Sequence, residues 1–212
     1  MKKISVKRIA FIAIFSAIAV VLYCYVKFNL PIFPPFLDFN FSMIPVIICA
    51  FMLGPWDASI VVIIRFLLKL VLVPTGTSYV GEIADLLLGI IVSLPVGFIY
   101  KYSKNQKKEL FAFLSVLGIW VLSSIMINAF INIPFYIENF FKGSIEPLVG
   151  MCRDSFKLIT FGLVNNVNAS NFMIYYIILA VIPFNLILSG IVVLVTLLVH
   201  KRLKSLYDEF NF

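Results

Sequence analysis

Long apolar runs, broken by short polar or proline-rich segments, make up most of the chain. A transmembrane helix needs about 20 predominantly apolar residues. The pattern predicts helices at Arg8–Val26, Met43–Leu53, Asp57–Val73, Tyr79–Tyr100, Leu110–Phe135 and Asn171–His200, with Asp57 as the N-cap of the third. We therefore predict an all-α membrane protein, a bundle of about six transmembrane helices in a single domain over residues 1–212.

Two of the intervening regions need separate interpretation. The segment Lys27–Ser42 contains three prolines, which exclude a regular helix. The second helix is short for a span, so it either begins within Phe39–Ser42 or is a partial span sheltered by its neighbours. The long loop Tyr136–Ser170 has room for a short helix.

The composition leaves too little polar surface for a water-soluble globule. Hydrophobic residues make up 62% of the chain and charged residues 13%. Soluble domains are typically about 45–50% apolar and about 25% charged. The bilayer is therefore expected to be the solvent for most side chains.

The formal net charge of +7 is concentrated at helix ends. Three basic clusters share this pattern: Lys2, Lys3, Lys7 and Arg8; Lys101, Lys104, Lys107 and Lys108; and Lys201, Arg202 and Lys204. The positive-inside rule places all three on the cytoplasmic side. We expect both termini in the cytoplasm, a multi-pass protein of the cell membrane, and no nucleic-acid partner. His200, beside the last cluster, is expected to be a solvated interfacial residue.

Four charged residues fall within the predicted helices. Arg65 and Lys69 share one face of the third helix, and Glu82 and Asp85 lie near the start of the fourth. A charge in hydrocarbon costs at least about 2.5–3.5 kcal/mol on insertion scales, so such residues pair or line a cavity. Two interpretations stay open: internal ion pairs that hold a helix hairpin, or the polar wall of a ligand site near the outer face.

Three asparagines form a second polar group. Asn128 and Asn132 lie four residues apart on the fifth helix, and Asn185 lies on the sixth. Amides in a bilayer either join helices or bind a polar, uncharged ring, since each amide both donates and accepts. Phe39 and Phe41 belong either to an interfacial aromatic belt or to a stack around a flat ligand.

Other features bear on partners and on chemistry. Ala13 and Ala17 form a small-xxx-small pair on the first helix, which suits either internal packing or a partner subunit. The sequence contains no GxxxxGK[ST], HExxH or GxSxG motif, so we expect no enzymatic activity. The three cysteines are far apart and without ligand spacing, so neither a disulfide nor a metal site is expected. No cofactor is expected either.

The chain resembles the substrate-binding S components of energy-coupling-factor vitamin transporters, most closely their riboflavin-specific branch. The resemblance covers nearly the whole chain. It rests on the segments Phe36–Pro45 (FLDFNFSMIP, similar to FLxFDFSDIP), Leu53–Pro55, Val80–Gly89 (VGEIADLLLG), Asn128–Tyr136 and Pro183–Leu186 (PFNL).

This resemblance implies a vitamin site closed by the loop after the first helix, with Asn128 and Asn185 against the ligand. It also implies a transmembrane coupling subunit and two ATPases as partners, with Ala13 and Ala17 on the docking face. We place the substrate site at Phe39, Asn40, Phe41, Glu82, Asp85, Asn128, Asn132 and Asn185.

The sequence also departs from the riboflavin branch. Leu188 stands where that branch typically has Lys, and Asn40 and Met43 replace two aspartates of its loop motif. Riboflavin is the expected ligand, and pantothenate or another vitamin is the alternative within the family. A self-sufficient secondary transporter is the alternative outside it, although such proteins usually contain inverted repeats, which this sequence lacks.

Overall fold

The structure, a computed structural model, describes residues 5–103 and 107–210, and the side chains of residues 108, 201 and 203–210 lie outside this description. Three lysines of the predicted basic clusters, Lys2, Lys3 and Lys104, lie outside the described residues.

Helices account for nearly all of the regular structure. They are α1 (Val6–Tyr25), α2 (Met43–Met52), α3 (Pro55–Leu72), α4 (Val80–Tyr102), α5 (Lys108–Ile127), α6 (Ile133–Phe141), α7 (Glu146–Ile159), α8 (Phe172–Tyr175) and α9 (Ile182–Phe210). Two π turns, Asn128–Asn132 and Tyr176–Val181, join α5 to α6 and α8 to α9. An element that we did not predict is a short antiparallel ribbon of β1 (Lys27–Phe28) and β2 (Phe39–Asn40).

Four described stretches are long and apolar enough to cross a membrane: Val6–Tyr25, Val80–Tyr102, Glu109–Phe141 and Phe172–His200. The other two predicted spans differ from these. Helix α2 has ten residues, about 15 Å of helix, and most of its side chains are buried. Helix α3 has 18 residues but carries three buried charged groups, Asp57, Arg65 and Lys69. Both need neighbouring protein, because hydrocarbon cannot solvate the unpaired backbone groups at the ends of the short α2 or the buried charges of α3.

The two π turns have a common local cause. Each ends immediately before an Ile-Pro pair, Ile133-Pro134 in one and Ile182-Pro183 in the other. Proline has no N–H to donate and clashes with the carbonyl four residues earlier, and a locally wider turn relieves both problems. The fifth helix therefore continues past its predicted end, through Pro134 to Phe141.

The start of α3 corrects one prediction. The helix begins at Pro55, a favoured first residue, after Gly54 with a φ of 103°. Asp57 is thus not the N-cap. It is buried in the first turn and accepts two hydrogen bonds from Arg8, at 2.7 Å from Nε and 2.9 Å from Nη2. This ion pair fixes the start of α1 to the start of α3.

The prediction for His200, near the other end of the chain, was wrong. His200 is fully buried rather than solvated, and its Nε2 lies 3.1 Å from the hydroxyl of Tyr100. Lys101, next along α4, reaches the carbonyl of Leu53 at the end of α2. The first turn of α1 therefore lies at the same end of the bundle as the C-terminal end of α4. His200, where the membrane-crossing part of α9 ends, lies there too.

Candidate functional site

Two adjoining cavities lie between the β ribbon, the α3–α4 hairpin and the first π turn. The larger has a volume of about 400 Å³ and the smaller about 130 Å³. Four polar residues line both cavities and so connect them: Asp38, Asn40, Asp85 and Asn132. Ligand pockets commonly measure about 300–1,000 Å³ and carry a few polar groups that fix orientation.

Six of the eight predicted site residues line these cavities. Glu82 lines the larger, Asn128 and Asn185 line the smaller, and Asn40, Asp85 and Asn132 line both. The structure thus brings together polar residues that lie far apart in sequence, from Asn40 to Asn185.

Phe39 and Phe41 line neither of the two cavities. Phe39 is buried, with its ring centroid 4.5 Å from that of Phe184 and 5.4 Å from that of Phe28. Phe41 is partly buried against the same core and lies 6.1 Å from Phe28. Successive side chains of an extended segment point to opposite sides. Asn40 therefore reaches the cavities while its two neighbours pack into the aromatic core that holds the ribbon.

The four charged residues of the hairpin form two ion pairs. Arg65 pairs with Asp85, and Lys69 pairs with Glu82. The ring of Tyr23 lies 5.0 Å from the Arg65 guanidinium carbon. A β-carbon on Gly89 would lie 2.8 Å from Val62 Cγ1 and 3.3 Å from Arg65 Nη2, so this glycine lets α4 pack closely against α3 beside the ion pair. The structure therefore contains the internal ion pairs of the first interpretation, and both carboxylates also line the larger cavity, as in the second.

The carboxylates of Glu82 and Asp85 differ in how many of their oxygens already accept a hydrogen bond. Glu82 uses both oxygens: one pairs with Lys69, and the other accepts from Thr75 at 3.1 Å and Thr77 at 2.9 Å. Asp85 pairs with Arg65 through Oδ2 alone, and within the described part of the chain no hydrogen bond reaches its Oδ1. Asp85 is therefore the hairpin carboxylate that can accept from a ligand hydroxyl.

Ser42 connects this charged wall to the ribbon. Its hydroxyl accepts from Arg65 Nη1 and donates to Asn40 Oδ1 at 2.6 Å. The side chain of Asn40 is thereby positioned by a residue of α3. Sequence inspection did not identify Ser42 as part of the site.

An amide network forms the wall on the α5 and α9 side. Asn185 Oδ1 accepts from Trp120 Nε1 at 3.0 Å and from Ser124 Oγ at 2.9 Å. Asn128 Oδ1 accepts from the hydroxyl of Tyr176 at 2.8 Å. All of these side chains are buried or nearly so.

Trp120 and Ser124 also line the smaller cavity, and Tyr176 orients Asn128; sequence inspection missed all three. The first two stand at four-residue spacing with Asn128 and Asn132, so all four share one face of the helix. That spacing of polar groups in an otherwise apolar helix was the available signal. Tyr176 carried no comparable signal, because its place follows from the second π turn.

The predicted docking residues lie away from these cavities. Ala13 and Ala17 are exposed on α1, and the large apolar side chains of Ile14 and Ile18 beside them are also exposed. Small residues on an exposed helix face allow close approach of another helix.

Comparison with known proteins gives a consistent match along the chain. A family model for the substrate-specific component of ECF transporters matches residues 7–200. The chain is 30% identical over 214 residues to the riboflavin transporter RibU of Leuconostoc mesenteroides, covering 97% of this chain and 95% of that protein. It is 29% identical over 201 residues to the riboflavin transporter RibU of Staphylococcus aureus, covering 94% and 91% respectively.

A solved structure resembles the fold. It is the S component of a bacterial ECF transporter, with a TM-score of 0.63 and 26% sequence identity. The match covers 94% of this chain and 96% of the solved chain.

The buried Arg65–Asp85 pair generates a stability prediction. Asp85→Leu leaves a buried guanidinium without its counter-charge, so we expect a loss of about 3–5 kcal/mol in the free energy of unfolding. The double variant Arg65→Met/Asp85→Leu removes both charges and should recover part of that loss. Thermal unfolding of the purified variants in detergent measures both.

The matched control for that prediction is the pair Lys27–Asp38. Its atoms lie 3.4 Å apart and both side chains are exposed. Asp38→Leu should change the free energy of unfolding by at most about 1 kcal/mol. Equal losses for Asp85→Leu and Asp38→Leu, or no recovery in the double variant, would contradict the importance of the buried pair.

Proposed function

This chain belongs to the family of substrate-specific components of ECF transporters, and we propose that it is the riboflavin-binding subunit of an ATP-driven importer. It is an integral membrane protein and a transporter subunit rather than an enzyme. The observation that carries the proposal is the match, over at least 94% of the chain, to relatives named as riboflavin transporters.

The charge balance of the cavities supports an uncharged ligand. The lysines that line the larger cavity are both paired, Lys27 with Asp38 and Lys69 with Glu82. A carboxylate ligand such as pantothenate would have to share one of these lysines with the carboxylate already paired to it, and would place a second negative charge beside that carboxylate. Riboflavin is neutral at physiological pH, so it makes no such demand.

The two ends of the site suit the two parts of riboflavin. The smaller cavity combines the asparagine amides with the apolar side chains of Leu188, Met43 and Phe184, which fits a flat heterocycle. Leu188, at the position where the riboflavin branch typically has Lys, contributes apolar surface here. The larger cavity offers Asp85, whose free oxygen can accept from the hydroxyls of the ribityl chain.

We further propose that the importer contains a transmembrane coupling subunit and two ATPases, and that α1 docks on the coupling subunit. The exposed Ala13 and Ala17 support this. Both termini are proposed to lie in the cytoplasm of a cell-membrane protein. The ion pair of Arg8 with Asp57 and the contact of Lys101 with Leu53 support this orientation, because they place two basic clusters near one end of the bundle.

Removal of the Asn185 side-chain amide tests the ligand site. A lost hydrogen bond to a buried partner costs about 1–3 kcal/mol, so Asn185→Ala should weaken riboflavin binding roughly 5- to 150-fold. Quenching of flavin fluorescence on titration into the purified protein measures the affinity.

The control is Asn139→Ala, which removes an exposed amide of α6 that lines neither cavity. It should bind riboflavin as the wild type does. Equal affinities of wild type and Asn185→Ala would exclude Asn185 from the site. An absence of quenching with the wild-type protein would exclude riboflavin as the ligand.

Enlargement of the α1 face tests the docking proposal. The double variant Ala13→Leu/Ala17→Leu should bind riboflavin normally but fail to co-purify with the coupling subunit and the ATPases. Gly118→Leu on the exposed face of α5 is the matched small-to-large control and should assemble normally. Normal assembly and uptake by the double variant would show that this face of α1 is not the docking surface.

A further inference from the structure

We infer that an apolar turn at the C-terminal end of α7, residues 158–163, inserts into the lipid bilayer at the boundary between acyl chains and headgroups. Leu158, Phe161 and Leu163 supply the inserted side chains. This inference goes beyond the proposed function and does not depend on which ligand the protein binds. It follows from the exposure of the turn, its hydrogen bonds, its charge and its depth along the bundle.

The three apolar side chains are exposed although the opposite face of α7 is well packed. Leu158 is 52% exposed, Phe161 95% and Leu163 87%, and the last two are the most exposed large apolar side chains in the described part of the chain. Cys152 and Phe156, by contrast, are buried in an apolar cluster. Exposure of large apolar side chains to water is unfavourable, so a partly apolar environment is expected around this turn.

The turn is held in place by hydrogen bonds, so the exposure is not that of a frayed helix end. The amide of Gly162 donates to the Lys157 carbonyl at 2.8 Å, and the Thr160 hydroxyl accepts from the amide of Val164 at 3.2 Å. Phe161 has a φ of 51°, in the left-handed region that a bulky side chain rarely adopts. Strained positions of this kind concentrate at functional sites.

The residues around the turn suit a lipid surface. Residues 157–171 contain one charged side chain, that of Lys157, and no carboxylate. A lysine can lay its methylene stem along apolar surface and reach the lipid phosphates with its ammonium group. Asn165 and Asn166, which follow the turn, are exposed and can bind headgroups. Apolar side chains next to a cation and polar groups are typical of segments that lie in the membrane interface.

The depth of α7 along the bundle agrees with such a position. The apolar stretch Glu109–Phe141 has 33 residues, or about 50 Å of helix. A bilayer with its headgroups is about 40–45 Å thick. Glu109 lies at the end of the bundle that contains His200, 3.7 Å from its Nε2. Phe141 therefore lies near the headgroups of the opposite side, and α7 begins there, at Glu146.

The turn also adjoins an exposed surface of a membrane-crossing stretch. The ring centroid of Phe156, in the last turns of α7, lies 6.3 Å from that of Phe172, where this stretch begins. Ile174 and Ile178 in the same stretch are 62% and 55% exposed. The apolar turn therefore extends the lipid-facing surface of this stretch toward the headgroups.

Nitroxide labels on the turn test this inference. Phe161→Cys and Leu163→Cys are labelled separately and reconstituted in vesicles of phosphatidylcholine and phosphatidylglycerol. Oxygen concentrates among the acyl chains and a nickel chelate stays in water, so the ratio of collision rates with the two reagents reports the depth of each label. The three native cysteines are buried, and the wild-type protein treated with the same label measures their contribution.

Two further positions calibrate the measurement. Asp154→Cys places the same label on an exposed position of α7, one turn before Leu158, where the native carboxylate requires water or headgroups. Ile178→Cys marks the lipid-facing surface. We expect the oxygen-to-nickel ratio at residues 161 and 163 to be several-fold higher than at Asp154→Cys and closer to that at Ile178→Cys. Because every variant carries the same label, the affinity of the label itself for lipid does not decide the result.

Two results would overturn the inference. One is a ratio at both residues 161 and 163 as low as at Asp154→Cys, which would place the turn in water. The other is protection of both labels from oxygen and nickel alike, with dipolar broadening that disappears when labelled protein is diluted with unlabelled protein. That result would assign the turn to a contact between two copies of this chain.

Discussion

A charge buried in hydrocarbon must find its counter-charge inside the protein, and this constraint organises the α3–α4 hairpin. Arg65 and Lys69 place two cations on the buried face of α3, and Asp85 and Glu82 on the next helix neutralise them. Because the carboxylates also line the larger cavity, the pairing that neutralises the buried face of α3 also builds one wall of the candidate site. Both oxygens of Glu82 accept hydrogen bonds, one from Lys69 and the other from Thr75 and Thr77. Among the described residues, only Oδ2 of Asp85 accepts one, from Arg65.

The opposite wall depends on a backbone constraint. Pro134 and Pro183 interrupt two long apolar helices, and a π turn precedes each one. The first π turn carries Asn128 and Asn132, and the second begins at Tyr176, whose hydroxyl orients Asn128. Irregular backbone at membrane depth is tolerated where it is enclosed by protein or lines a cavity. The asparagines of the candidate site are thus concentrated where the helices are already irregular.

The sequence was sufficient for the parts of the fold that follow from hydropathy and spacing. The apolar runs predicted helices close to α1 and α4, and one that covers α8, the second π turn and most of α9. The intramembrane asparagines and carboxylates were identifiable because polar groups are rare there. It was insufficient where tertiary packing decides. The ribbon that turns Phe39 inward and Asn40 toward the cavities and the burial of His200 both depend on partners distant in sequence. The hydrogen bonds that Thr75 and Thr77 donate to Glu82 could likewise not be predicted from the sequence.

A largely preformed site with internally paired charges is proposed to bind a neutral flavin. The absorbance spectrum of the protein purified from cells grown with riboflavin tests this binding without any variant. We expect visible flavin bands that co-purify with the protein and a flavin that denaturation releases as unmodified riboflavin. A spectrum with protein absorbance alone, unchanged after the purified protein is incubated with riboflavin, would contradict it.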